Sequence, residues 1–348
     1  MTDEPEPALE LMADRGAERL DQFLARRLDS ASRSQARHLI DDGLVQVDSR
    51  LERPAYKLSI GELVTVHPRL SGPVEDPVEI ALSVVYEDDH LAVLDKQARL
   101  TVHPAPGETQ PTLIAAILNR WPELAAIASE DSEADPLRPG LVHRLDRDTT
   151  GLLMIAKNAD ALRSLRSQLR DRSVDKRYLA VVVGAPDPPA GLIDAAIGRD
   201  PADPRRMAIL DRGRPSQTGY ETTERFADAA LVTCRLITGR THQIRVHLSA
   251  IGHPIAGDAM YGMATPLIDR QALHASQLTV RHPASDDPLT VSADPPADFR
   301  RLLGRLREGE LLLGDQPIKR SRNEPADSVK RQARSARRQR RRRTQRIR

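Results

Sequence analysis

The spacing of apolar positions changes several times along the chain, and each change marks an element. Residues 1 to about 16 offer only Leu9, Leu11 and Met12 with no periodicity, so residues 1–17 read as a flexible leader. Leu20, Phe23, Leu24 and Leu28 then recur at helical spacing. A second helix starts at Ser32, where Ser32-Arg33-Ser34-Gln35 forms a capping-box pattern, and Gly43 stops it. Val45 and Val47 alternate as a strand, and Leu63-Val64-Thr65-Val66 makes another. Residues 18–66 thus form one small helix-helix-strand unit. His67 to Pro77 carries three Pro and a Gly, so 67–80 reads as a linker.

A second domain, 81–305, begins with a hairpin over Ser83–Lys96 around the acidic turn Glu87-Asp88-Asp89. Pro111 to Trp121 reads as a helix. Asp146 to Gly151 is charged, small or Gly, while Leu152-Leu153-Met154-Ile155 is apolar, which predicts a loop feeding a buried strand over 152–156. A helix follows from about Asn158 to Arg170, with Leu162, Leu165 and Leu169 on one face, and then a strand over Lys176–Gly184. Strand and turn signals dominate from 191 to 238. The pattern predicts an α+β fold: a mixed, largely antiparallel sheet flanked by helices, preceded by the small N-terminal α/β unit.

Composition narrows the classes. The 348 residues contain no apolar run near the ~18 a membrane helix needs, and the N-terminus is acidic and Pro-rich where a signal peptide is basic and then apolar. One cysteine, Cys234, excludes an internal disulfide and a Cys-based zinc cage, in keeping with a cytoplasmic protein. The net charge of +2 hides a division. Residues 319–348 hold fourteen Lys and Arg against two acids, leaving 38 basic and 48 acidic side chains in residues 1–318. The body is acidic and the end of the chain, 306–348, reads as a basic disordered tail. It serves either as a sequence-independent RNA contact or as a solubilising extension.

Asp146 sits at the mouth of the central strand with Arg144 and Arg147 beside it, donors suited to phosphate or a base edge that also keep a carboxylate charged. Alone, such a loop is as readily a solvated turn or an N-cap. The stretch His143-Arg144-Leu145-Asp146-Arg147-Asp148-Thr149-Thr150-Gly151-Leu152-Leu153 resembles the signature of the RluA-type RNA pseudouridine synthases. Leu236-Ile237-Thr238-Gly239-Arg240-Thr241-His242-Gln243-Ile244-Arg245-Val246-His247-Leu248 resembles the second signature of that family, and Ile251–Asp258 and Leu273-His274-Ala275 extend the likeness. Gln97 and Arg99 depart from it, standing where relatives have Pro and Gly. Residues 18–66 resemble the S4 RNA-binding module in Glu18–Leu24, Ser32–Gln35 and Asp42–Val47. Its Arg26, Arg27, Arg33 and Arg37 form either a phosphate-binding face or a solvated one balanced by Asp29, Asp41 and Asp42.

The resemblance implies isomerisation of uridine to its C-glycoside within structured RNA, ribosomal RNA of the large subunit before transfer RNA, by a monomer with no cofactor, membrane or DNA partner. It makes Asp146 the nucleophile, pairs Arg245 with it and sets Tyr178 against the uracil. Arg144 would fill the space the flipped base leaves, and Arg147, His143, Arg240, His242, Arg33 and Arg37 are RNA contacts. From chemistry alone, Asp148 beside Asp146 also suggests a glycosidase pair. His242 and His247 suggest a metal, but i, i+5 on a segment read as strand-like puts them on opposite faces. Another class of reading is a catalytically silent RNA-binding assembly factor.

Overall fold

The computed structural model describes residues 9–28, 33–41, 43–66, 77–103, 110–127, 138–203 and 205–313. The chain divides into two units, Met1–Asp76 and Pro77–Arg348. Three sequence expectations fall wholly or partly outside these residues: the capping box at Ser32, the linker over 67–76 and the basic tail beyond Leu313.

In the first unit, helices α1 (Leu20–Arg27) and α2 (Arg33–Asp41) cover a four-stranded antiparallel sheet. Its strands are β1 (Leu9–Met12), β2 (Val45–Val47), β3 (Arg50–Leu51) and β4 (Leu63–Val66), ordered β1-β4-β2-β3. Leu20, Phe23 and Leu24, the helical stripe of α1, are fully buried against Ala36, Ile40, Val45, Val47 and Val64. The leader is therefore shorter than its sequence suggests. Leu9 to Met12 pairs antiparallel with Val66 to Leu63, placing Leu11 in the core. Four residues with one inward side chain carry too little alternation to announce a strand.

The second unit is built on a nine-stranded sheet. Its strands are β5 (Val84–Glu87), β6 (Leu91–Lys96), β7 (Thr150–Ala156), β8 (Asp175–Val183) and β9 (Ala190–Asp194), then β12 (Gln217–Arg225), β13 (Ala229–Leu236), β14 (Leu273–Arg281) and β15 (Pro288–Ser292). A separate hairpin pairs β10 (Ile197–Arg199) with β11 (Met207–Ile209). The order in the large sheet is β5-β6-β7-β14-β8-β13-β12-β9, with β15 on the side of β14. Every pairing is antiparallel except β7 with β14, which gives the mixed, largely antiparallel sheet the sequence predicts.

All seven residues of β7 are buried, as its unbroken apolar run requires of a central strand. Among the described residues four α-helices flank this unit's sheet: α3 (Leu113–Arg120), α4 (Ala159–Arg170), α5 (Gln243–Ala250) and α6 (Ala297–Arg307). Asn158 caps α4 by accepting the Ala161 N–H at 2.9 Å.

Two expectations fail here. The segment after Arg240 is the helix α5, not a strand. Every residue from Gln243 to Ser249 is buried, so α5 has no polar face and its sequence shows no helical stripe. The ordered chain also passes residue 305: α6 runs to Arg307, and Asp228 accepts the N–H groups of the buried Leu312 and Leu313 at 2.9 and 3.2 Å.

Candidate active site

The loop before β7 is held from three directions. The buried Lys96 at the end of β6 donates to the carbonyls of Gln97, Leu100 and Arg147 at 2.8, 2.9 and 2.8 Å. Arg270 donates to the Asp148 carbonyl at 3.1 Å while Asp298 of α6 grips it at 2.7 and 3.0 Å. Gln271 donates to Thr149 at 3.3 Å. Gly151 closes the loop at φ +106°, where a Cβ would collide with the Ala275 backbone of β14. These contacts fix Asp146 at the lip of a cavity of about 300 Å³ whose walls include Val102, Arg144, Met260, His242 and Arg245.

Arg245 crosses from α5 to meet Asp146. Its Nη1 donates to Asp146 Oδ2 at 2.9 Å, while Nε and Nη2 form a two-pronged pair with the buried Asp258 at 2.7 and 2.9 Å. Burial works against the Arg245 charge, but Asp258 and Asp146 outweigh it and hold the guanidinium protonated more firmly than usual. Asp258 is itself fixed by the N–H groups of Met260 and Tyr261 at 3.0 and 3.1 Å, and the Tyr261 ring lies 5.0 Å from the Arg245 guanidinium. Asp146 and Arg245, 99 residues apart, meet because the aspartate loop and α5 bound one cavity.

Tyr178 stands on β8 between Ala275 of β14 and Cys234 of β13 and is buried. Burial, and then the charge of Asp146, push its phenol pKa upward, so the hydroxyl keeps its proton. That makes it a surface or donor and a poor base.

The remaining predicted residues separate. Arg144 and Arg147 are exposed and line the cavity. His143 turns inward, where its Nε2 accepts the Met154 N–H at 3.1 Å, so that nitrogen serves the fold and not RNA. Arg240 is half-buried with Nε lacking a partner among the described residues; burial and the neighbouring charges of Arg214 and Arg172 lower its pKa. His242 faces the cavity, and His247, on the same helix, spends both ring nitrogens on Thr218 and the Ala195 carbonyl at 2.9 and 3.0 Å. His247 therefore has no free nitrogen for a metal. Arg33 and Arg37 are exposed on α2, with Arg33 also reaching the buried Asp21 at 3.3 Å.

The sequence pattern did not single out Lys96, Asp258 or Tyr261. Lys96 and Asp258 fall inside stretches that resemble the family, and a buried charge in such a stretch is the one signal available. The departure at Arg99 has a local answer: Arg99 adopts φ 62°, the left-handed conformation glycine favours, and ion-pairs with Asp269.

The geometry is that of a nucleoside-sized pocket with one carboxylate oriented by a buried arginine. A family profile described as RNA pseudouridylate synthase matches residues 90–250, and an S4 domain profile matches residues 18–64. A protein of Nitrosomonas europaea named ribosomal large subunit pseudouridine synthase D is 42% identical over 303 residues, covering 83% of this chain and 84% of its own. A protein of the same name from Xanthomonas campestris is 42% identical over 305 residues, covering 83% and 89%. A protein of Chloroflexus aurantiacus named uncharacterized RNA pseudouridine synthase is 46% identical over 299 residues, covering 84% and 91%. The solved structure of human RNA pseudouridylate synthase domain containing 1 superposes with a TM-score of 0.50 at 29% identity, covering 65% of this chain and 86% of that one. The chain belongs to the RNA pseudouridine synthase family. It is an RNA-binding isomerase with an S4 domain at its N-terminal end. Among the described residues no helix is long and apolar enough to cross a membrane.

Proposed function

We propose that this enzyme isomerises specific uridines in structured RNA of the large ribosomal subunit, as a cytoplasmic monomer, with Asp146 as its nucleophile. The observation that carries the assignment is the Arg245 bridge: Asp146 Oδ2 is tied down at 2.9 Å inside the cavity, while Oδ1 has no partner among the described residues. Oδ1 is then the oxygen offered to the substrate. It attacks the sugar C1′, and the bond to N1 breaks with its electron pair left on the uracil. The uracil turns, C5 bonds to C1′ as the carboxylate departs, C5 loses its proton and N1 gains one. The atoms balance without oxidant, reductant or transferred group, so no cofactor is required.

A base within folded RNA must first leave its stack, at a cost of a few kcal/mol. Arg144, exposed at the cavity mouth, takes the vacated space, and Tyr178 supports the uracil as a protonated phenol. Arg147 and Arg240 engage phosphates. Arg240 suits this because Arg214 and Arg172 crowd it with like charge that an anion would relieve. The S4 domain, with Arg33 and Arg37 exposed, delivers the RNA, and the large-subunit substrate follows the names borne by the Nitrosomonas and Xanthomonas relatives.

The test is to map pseudouridines across total cellular RNA with and without the gene, rescuing with wild type and with Asp146→Ala. A few large-subunit sites lost and restored only by wild type are expected. Sites restored by Asp146→Ala would reject the nucleophile. No lost site, with an assembly defect cured by Asp146→Ala, would favour a silent RNA-binding role.

A further inference from the structure

His242 occupies the N-cap of α5 in a left-handed conformation, φ 56° and ψ 18°, which places its ring in the cavity beside Asp146 and Arg245. Its Nδ1 lies 2.8 Å from the Tyr261 hydroxyl oxygen, and that oxygen accepts the Met207 N–H at 2.7 Å. A phenol has one proton to give. With its oxygen already accepting from Met207, the favourable arrangement has Tyr261 donating to His242 Nδ1, which puts the imidazole hydrogen on Nε2. The opposite tautomer would leave the phenol proton without an acceptor among the described residues and turn a nitrogen lone pair toward the aspartate.

Nε2 lies 3.9 Å from Asp146 Oδ2, the oxygen that Arg245 already holds at 2.9 Å. At that separation it makes no hydrogen bond, and it has no acceptor within bonding distance among the described residues. Burial, the largest influence on the ring, lowers its pKa and outweighs the pull of Asp146, so His242 is a neutral donor at pH 7. The site thus keeps a directed N–H in reserve, a few ångströms from the carboxylate and lining the same cavity.

We infer that His242 is a catalytic residue whose Nε2–H donates to O2 of the target uracil, with Tyr261 as the positioning residue that fixes its tautomer. This rests on Asp146 acting as the nucleophile at C1′. When the C1′–N1 bond breaks, the electron pair left on N1 is shared with O2, the carbonyl oxygen nearest the sugar. A fixed donor there is worth most in the transition state, because charge on O2 grows as the bond lengthens.

The experiment pairs enzyme variants with substrate analogues: a short stem-loop RNA carrying the mapped uridine, the same RNA with 2-thiouridine, and the same RNA with 4-thiouridine. Sulfur at position 2 is a weaker acceptor at the atom His242 would address, and sulfur at position 4 controls for size and electronics. Wild type should lose about tenfold in kcat on the 2-thio substrate relative to the 4-thio substrate. His242→Ala should be slower by about a hundredfold on the parent RNA and show no further 2-thio penalty. An equal 2-thio penalty in wild type and His242→Ala, or none in wild type, would overturn the assignment.

Folding is controlled by two more variants. His242→Asn suits the left-handed backbone but reaches only as far as Nδ1, whereas His242→Gln carries an N–H to the position of Nε2. Gln should restore more turnover than Asn; the reverse order rejects a donor at Nε2. Tyr261→Phe, which frees the tautomer, should lower kcat with KM little changed, and wild-type kcat would remove Tyr261 from the argument. Asp146→Ala runs alongside: turnover surviving there rejects the nucleophile, while the thio comparison reads His242 alone.

Discussion

Among the described residues, Arg26 and Arg245 each bridge two carboxylates, and their surroundings make them different devices. Arg26, in the N-terminal unit, donates to Glu18 at 3.1 and 2.7 Å and pairs with Asp14, on the surface. Arg245 bridges Asp258 and Asp146 in the catalytic unit, where Asp258 has no exposed side-chain surface at all. In both, one guanidinium meets two carboxylates at similar distances. In water the attraction is screened and the side chains lose entropy when they pair, whereas a buried pair that loses one partner leaves the other charge stranded. Arg26 shapes a surface, and Arg245 fixes where a carboxylate oxygen points.

The largest expected effect comes from breaking the buried bridge at its far end. Asp258→Asn leaves Asp146 untouched but removes the charge that holds Arg245 and weakens the acceptor for Met260 and Tyr261. Loss of a buried pair's partner costs about 3–5 kcal/mol. The misaimed Arg245 should lower kcat by about a hundredfold, the scale of an ångström of misplacement. Denaturant unfolding and single-turnover rates check both. A variant with wild-type turnover would mean that Arg245 needs only Asp146, and the comparison with Arg26 would lose its point.

That bridge also marks how far the sequence could be read. Asp146, Arg245 and Tyr178 stood out because they lie in stretches resembling a family; the local signal at Asp146 alone, one carboxylate in a charged loop, fits a surface turn equally well. Asp258 lay at the end of a resembling stretch but with no role attached to it, and Tyr261 lay outside any such stretch. Their roles exist only because the chain after α5 folds back, bringing Asp258 to the Arg245 fork and the Tyr261 hydroxyl to His242. The central strand β7 was plain from its apolar run, and α4 from its leucines. Helix α5 was not, since burial on every side erases the stripe by which a helix is recognised, and β1 was too short to alternate.

Acid sharpens the contrast next, because buried and surface groups titrate in different windows. Burial, and then the charge of Lys176, hold His143 at about 3. Burial with Arg138 and Arg144 does the same for His103, also at about 3. Both fold as neutral rings with pKa values below the ordinary ~6.5. The stability they contribute is therefore complete above about pH 6.5 and drains away as pH falls toward 3. Asp14 is held at about 2 by its hydrogen bonds from Arg26, so its contribution is complete above about 3.8 and is lost only below that. His143→Gln keeps an acceptor for the Met154 N–H and removes the titration. Its stability should fall less steeply between pH 6.5 and 3, by up to about 1.4 kcal/mol per pH unit for one proton. An unchanged slope would show that His143 protonates without loss to the fold.

The smallest expected effects belong to the surface arginines, where stability and RNA binding should come apart. Arg26→Ala breaks pairs that water already screens, so the melting temperature should move by no more than about 2 °C, and less in high salt. Arg33 and Arg37 make looser contacts, at 3.3 Å to Asp21 and 3.9 Å to Asp41, which leaves their charge available to phosphate. Replacing both with Ala in the full chain should leave kcat on saturating stem-loop RNA unchanged, weaken RNA affinity and reduce the slope of log affinity against log salt by about 1–2. An Arg26→Ala protein that lost RNA affinity as strongly would place the phosphate face on α1 instead of α2. A salt slope unchanged by the double replacement would assign the S4 arginines to their own carboxylates, and RNA delivery would then have to come from Arg144, Arg147 and Arg240 around the catalytic cavity.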